Sequence, residues 1–217
     1  MKNIILVLSL AFLTLNLNAQ NLSPVKFGLV TGLTLNHLTF SSIEGLESPS
    51  SNYGPGFNAG LIIRFPMQKR WNFNTELLYT TYSAEYTFKY KTDILGERIT
   101  SEVINNTELA YFVLNADFSF IAHEKFHLNF GPSIQYFLSG EDNINVSTNS
   151  SVLEGYSEVL PIDDNEDLDL GLNLGCSYII SEKTILNLKI FSGLMPLRDS
   201  ESDLTKNSIH FSILYFF

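Results

Sequence analysis

From Asp167 to Ile180 the chain alternates without a break. Leu168, Leu170, Leu172, Leu174, Cys176, Tyr178 and Ile180 hold one set of positions; Asp167, Asp169, Gly171, Asn173, Gly175 and Ser177 hold the other. A period of two puts these sets on opposite faces of a strand. The chain ends in the same grammar, with Ile209, Phe211, Ile213, Tyr215 and Phe217 at every second position and Ser208, His210 and Ser212 between them. A soluble sheet seldom finishes on so aromatic a strand with no polar cap. A membrane strand does, because one face must meet lipid.

Six further segments read the same way. The first sets Phe27, Leu29, Leu33 and Leu35 against Lys26, Gly28, Gly32, Thr34 and Asn36, and the second Phe57, Leu61 and Ile63 against Asn58 and Arg64. The third opposes Trp71, Phe73, Leu77 and Tyr79 to Asn72, Asn74, Glu76 and Thr80; the fourth opposes Phe112, Leu114 and Phe118 to Tyr111, Asn115 and Asp117. Phe126 to Leu138 and Leu186 to Leu194 supply the fifth and seventh, with His127, Gln135 and Lys189 on their polar sides. The glycines within strands fall on the polar side. That suits a narrow lumen, where small inward residues make room for large ones opposite.

Connections separate a barrel in lipid from a soluble sandwich. Short links join strands two to three, four to five and six to seven, at Pro66–Arg70, Ile121–Lys125 and Ser181–Lys183. Longer segments, His37–Pro55, Ala84–Glu108, Gly140–Glu166 and Met195–Lys206, join the others. Short and long alternate. The expectation is an all-β fold: an eight-stranded antiparallel transmembrane β-barrel with short periplasmic turns, long extracellular loops and both termini periplasmic.

The other end of the chain agrees. Met1-Lys2-Asn3, an apolar run from Ile4 to Leu15, and Leu17-Asn18-Ala19 before Gln20 predict a signal peptide over residues 1–19 and a barrel domain over 20–217. A run of about 12 apolar residues is short for a helical span, which needs about 20. Without residues 1–19 the charge is 12 − 23 = −11, which disfavours nucleic acid as a partner. The single Cys176 excludes an intramolecular disulfide framework.

The stretches KFGLVTGLTLNHL, GFNAGLIIRFP, WNFNTELLYT, FHLNFGPSIQYFLSG and DLGLNLGCSYII resemble the small outer-membrane β-barrel domain widespread in Bacteroidota, often called PorT-like. The OmpA barrel is its architectural relative. The resemblance covers nearly the whole exported chain. It implies a bacterial outer-membrane location and a role as an interaction or secretion-accessory barrel; no residue set in the chain points to enzymatic activity or a cofactor, and neither is expected. The alternative is a barrel that binds or transports a small apolar ligand.

Four groups of residues carry candidate chemistry. Arg64, Glu76, Asp117, His127, Asp169 and Lys189, with Lys26, form an inward charged set, expected to be paired because isolated burial costs several kcal/mol. Arg64 and Glu76 lie on neighbouring strands, and the register decides whether they meet. Tyr82, Tyr86, Phe88 and Tyr90 continue the inward parity of strand three, returning through Ile99 and Val103, as a cap on the lumen or a site for an apolar ligand. Phe211, Ile213, Tyr215 and Phe217 form a C-terminal signal for the barrel-assembly machinery. The acidic run Asp163, Asp164, Glu166, Asp167 and Asp169 lacks the glycine and terminal glutamate of an EF-hand and reads as a solvated loop.

His123-Glu124-Lys125-Phe126-His127 matches the letters of a zinc-protease motif, but it spans a turn into a strand. Extended residues four apart lie about 13 Å from each other, too far to chelate one metal. No catalytic, cofactor or metal residues are assigned. The expected partners are outer-membrane lipid and lipopolysaccharide, the assembly machinery and an envelope protein.

Overall fold

A computed structural model describes residues 24–40, 47–67, 69–94, 97–148, 155–162, 168–195 and 204–217. The predicted signal segment lies outside the described residues, as do Asp163, Asp164, Glu166 and Asp167 of the acidic run. Nine strands are described: β1 (Lys26–Phe40), β2 (Glu47–Pro66), β3 (Trp71–Ile94), β4 (Glu97–His123), β5 (Phe126–Thr148), β6 (Tyr156–Pro161), β7 (Leu168–Ile179), β8 (Thr184–Gly193) and β9 (Leu204–Phe216). Each pairs antiparallel with its neighbours, and β1 meets β9. Eight of them close a ring; β6 adds to the upper half of β5, above β7.

The register fixes the shape of the ring. Partners crossing the strands run Pro66, Asn72, Ser119, Asn129, Gly175, Lys189, His210, Thr34 and back to β2 at Gly56. The path returns 66 − 56 = 10 residues further up the strand, a shear of ten for eight strands. With strands about 4.8 Å apart and a rise of about 3.3 Å, this tilts them about 41° and sets a backbone radius of about 8 Å. Such a bore has room for side chains and little else.

Burial follows the dyad. Asn74, Glu76, Leu78, Thr80 and Tyr82 are buried inside, while Leu77 and Tyr79 are exposed outside. The outer surface is an apolar belt with an aromatic girdle at each margin. Near the turns Trp71 packs on Phe120 at 4.9 Å, and Phe73 on Phe118 at 5.3 Å. Toward the other end Tyr79 lies 5.8 Å from Phe57 and 6.3 Å from Phe112. From Trp71 to Tyr79 the axial rise is about 20 Å at this tilt, close to the apolar height of an outer-membrane barrel.

The short connections lie where the alternation placed them. The segments predicted as long loops do not: most of His37–Pro55 and Ala84–Glu108 is strand, and β3 and β4 stay paired from Trp71–Phe120 to Ile94–Glu97. The reason is local. Past Thr80 the outward positions become polar, so the lipid-facing dyad ends while pairing continues into water. Register shifts bend this extension, two of them where it leaves the belt. Register slips by one residue between Tyr53 and Asn58 of β2, and again where Ala110 pairs with Ser139 but Tyr111 with Phe137, leaving Leu138 extra on β5. Above that bulge the inward residues of β5 change parity, from Phe137 to Asp142. The strands β7 and β8 stop near the upper girdle; β1 and β9 stay paired to Phe40–Leu204 but β1 leaves β2 at Gly54, and β2 to β6 continue as a five-stranded sheet.

Candidate functional site: the luminal polar network

Inward parity brings polar side chains from every wall strand into one column. At its centre Lys189 Nζ reaches Glu76 Oε2 at 2.6 Å and Asp117 Oδ2 at 2.5 Å, with all three side chains buried. Asn115 Nδ2 donates to Glu76 Oε2 at 2.9 Å, and Asn173 Nδ2 donates to Asn115 Oδ1 at 2.9 Å and to Asp117 Oδ1 at 3.4 Å. Lys189 stands on β8, opposite β3 and β4 across the bore. Gly175 makes the approach possible: a Cβ there would lie 2.9 Å from Lys189 Cγ and 2.3 Å from a backbone oxygen. One cation thus meets two anions, and amides fill the remaining lone pairs, as a buried ionic cluster requires.

A second cluster sits about one strand-turn higher. Lys206 Nζ lies 2.9 Å from Asp169 Oδ2, 3.6 Å from the Tyr111 ring centroid and 4.7 Å from that of Tyr82. Desolvated cation–ring contacts of this kind contribute up to about 2 kcal/mol each. Phe191 closes the side of the cage at 5.8 Å, and its ring occupies the place of a β-carbon on Gly171, only 2.1 Å away. Between the clusters, Asn58 Nδ2 donates to His210 Nδ1 at 3.4 Å, so Nε2 carries the ring proton and donates to Ser208 Oγ at 2.6 Å.

Toward the termini Arg64 donates from Nε to Asn74 Oδ1 at 2.9 Å, and its guanidinium lies 4.6 Å above the Phe216 ring. Arg64 and Glu76 do not meet. Register places Arg64 opposite Asn74, and Ile62 opposite Glu76. His127 is buried in this layer while His123 is exposed at the turn, so the two point into different environments. Lys26 is exposed at the rim, outside the lumen, because the strand has barely entered the barrel there.

Above Lys206 the aromatic hairpin closes on itself. Tyr82 and Tyr86 are buried, Leu38, Ala84 and Tyr86 pack together with Phe88 against them, and Asn105 Nδ2 donates to Tyr86 Oη. The Tyr90 side chain lies outside the described residues. The cleft beside Leu38, Tyr82, Ala84 and Leu109 has room for about one water molecule. Among the described residues no three His, Cys, Asp or Glu side chains converge as metal ligands.

Sequence reasoning missed Lys206, which it assigned to a loop. Its neighbours Thr205 and Asn207 are polar, so no apolar dyad marks this part of β9; its own parity with Ser208 and Ser212 was the available signal. The C-terminal residues Phe211, Ile213, Tyr215 and Phe217 are exposed on the apolar belt.

A closed sheet with an apolar belt outside and a paired ionic column inside defines a transmembrane β-barrel. The chain belongs to the outer membrane protein beta-barrel domain family, whose model matches residues 18–199, and the family places it in the outer membrane. Similar solved structures include Ail, the attachment invasion locus protein of Yersinia pestis, at 11% identity and a TM-score of 0.41, covering 90% of this chain and 100% of that one. Neisserial surface protein A shares 11% identity at a TM-score of 0.44 over 90% and 100% of the two chains. The outer membrane protease OmpT of Escherichia coli shares 10% at 0.41 over 92% and 99%. No curated protein sequence matches the chain.

Proposed function

We propose that this chain is a non-enzymatic, non-conducting barrel that serves as an interaction or secretion-accessory protein of the PorT-like kind, with its termini and short turns in the periplasm. The observation that carries the reading is a lumen closed twice beneath a protruding sheet. The Lys189–Glu76–Asp117 cluster spans the bore near the middle of the apolar belt, and the Lys206–Asp169 cage spans it near the upper girdle. A shear of ten leaves no free width between them. What the barrel offers its surroundings is therefore on its rims, above all on the sheet formed by β2 to β6. The apolar-ligand alternative is weaker, because Tyr82, Tyr86 and Phe88 pack on Leu38 and Ala84 and leave space for little besides water.

Planar-bilayer recording tests this directly. The folded protein is expected to give no discrete conductance steps, and cysteine labelling of intact cells should modify Ser157→Cys but not Ser181→Cys. Reproducible channels, or labelling at position 181 alone, would overturn the proposal.

A further inference from the structure

The five-stranded extension has two ends, and they are built differently. At one end, β2 from Glu47 to Tyr53 pairs with β3; among the described residues its other side carries no strand, since β1 leaves β2 at Gly54. That edge is broken by a register shift between Glu47 and Ser50 and contains Pro49. Bulges and prolines are what blunt an edge against pairing. At the other end stands β6, regular over all six residues, every one exposed.

The hydrogen-bond phase of β6 says which groups face outward. Ile162 N donates to Gly140 O at 2.9 Å, so Ile162, Leu160, Glu158 and Tyr156 turn their backbone groups toward β5. Ser157, Val159 and Pro161 turn theirs to the side where, among the described residues, no strand pairs. Pro161 fits that phase, because its missing N–H falls where β5 needs none. Ser157 and Val159 each present an N–H and a C=O to a further strand. Tyr156 and Val159, 58% and 55% exposed, flank these groups on the two faces with apolar surface.

Charge selects the occupant. Glu158 and Glu141 are exposed on the β5–β6 pair, and Glu108, also exposed, pairs with Glu141 from β4. Two copies joined edge to edge through β6 would bring the Glu158 carboxylates of both copies to one seam. An extended basic segment would be attracted to them. We infer that β6 accepts an extended, Lys- or Arg-bearing segment of a partner protein by strand addition, bonding through Ser157 and Val159. This rests on the interaction-barrel reading and names the surface and the partner chemistry.

The test uses the folded protein in phosphatidylcholine vesicles, whose neutral surface does not draw basic peptides. Three labelled synthetic peptides serve as probes: one alternating Lys and Val, its analogue N-methylated at every second residue, and one alternating Glu and Val. The Lys–Val peptide is expected to bind by fluorescence anisotropy, with N-methylation weakening it about tenfold or more, as loss of backbone donors requires. Val159→Pro, which removes one outward N–H and leaves the β5 ladder intact, should weaken binding to a similar degree, and Glu158→Lys should weaken it several-fold. The heat-induced gel shift reports whether each variant has folded. Absence of Lys–Val binding, equal binding of the Glu–Val peptide, or indifference to N-methylation would overturn the inference. The peptide comparison needs no variant, so it decides even if Val159→Pro does not fold. Channel activity would sink the interaction-barrel reading itself; silence in bilayers with peptide binding indifferent to methylation would sink only the role of β6.

Discussion

Lys189→Met tests how the lumen is held together. Methionine keeps most of the length of lysine and removes its charge. In the native barrel the ammonium lies 2.6 Å from Glu76 and 2.5 Å from Asp117, with all three groups away from solvent. After substitution the carboxylates keep only amide donors, Asn115 at 2.9 Å and Asn173 at 3.4 Å. Each amide bond contributes about 1 kcal/mol, whereas leaving a buried charge without its partner costs about 3–5 kcal/mol. The expected loss is about 3–4 kcal/mol.

The companion variant separates lost packing from lost charge. Lys189→Met with Glu76→Gln and Asp117→Asn removes one cation and two anions together, while amides of similar shape keep hydrogen bonding. Neutral replacement of a whole buried ionic group is often without cost, so the triple variant should recover to within about 1 kcal/mol of the native protein. Urea unfolding in phospholipid vesicles reads both, with the single tryptophan, Trp71 on the outer belt, as reporter. If the triple variant were as unstable as Lys189→Met, the loss would come from packing and the electrostatic reasoning would fail. A loss below about 1 kcal/mol for Lys189→Met would refute it as well.

Two other substitutions probe the outer surface. Leu174 is 65% exposed beside Asn173, at the level of the ionic cluster. Leu174→Arg should cost about 2–4 kcal/mol in vesicles, measured by the same urea unfolding, and an unchanged midpoint would mean that this face does not meet hydrocarbon. At the C-terminus, Tyr215→Asp or deletion of Phe217 should lower the amount of heat-modifiable protein in the outer-membrane fraction; equal amounts would count against a signal read by the assembly machinery.

The wall was legible because its signal is local. A period of two needs only the chain itself, and residues such as Leu168 to Ile180 state it without ambiguity. Parity also identified Glu76, Asp117, Asp169 and Lys189 as inward. What parity leaves open is who meets whom. That Lys189 on β8 faces Glu76 on β3 depends on a shear of ten accumulated around the ring, and Arg64 misses Glu76 by one register step of two residues. The extension beyond lipid was only partly legible, for a different reason. Inward Tyr82, Tyr86 and Phe88 keep the parity of β3, but outward residues such as Thr81, Ser83 and Glu85 turn polar where water replaces lipid, so the apolar dyad no longer marks how far the strand runs. In β6, Tyr-Ser-Glu-Val-Leu-Pro carries no dyad of its own. Its place follows from pairing with β5 above the bulge at Leu138, a long-range fact.

The two halves of the barrel depend on each other mechanically. The strands that rise furthest beyond the belt are β3 and β4, and they contribute Glu76 and Asp117 to the central cluster. Lys189 ties both to β8 on the opposite wall, a strand that stops near the upper girdle. Higher up, Lys206 ties β9 to Asp169 of β7 while resting on Tyr82 and Tyr111, again from β3 and β4. Each cluster therefore anchors the long hairpin to a short strand across the bore. A hairpin projecting past the lipid has no packing partner on its outer face, so the orientation of the sheet it carries, with β6 at its margin, is set by these footings. The groups that fill the lumen are the same groups that hold the extended sheet in position.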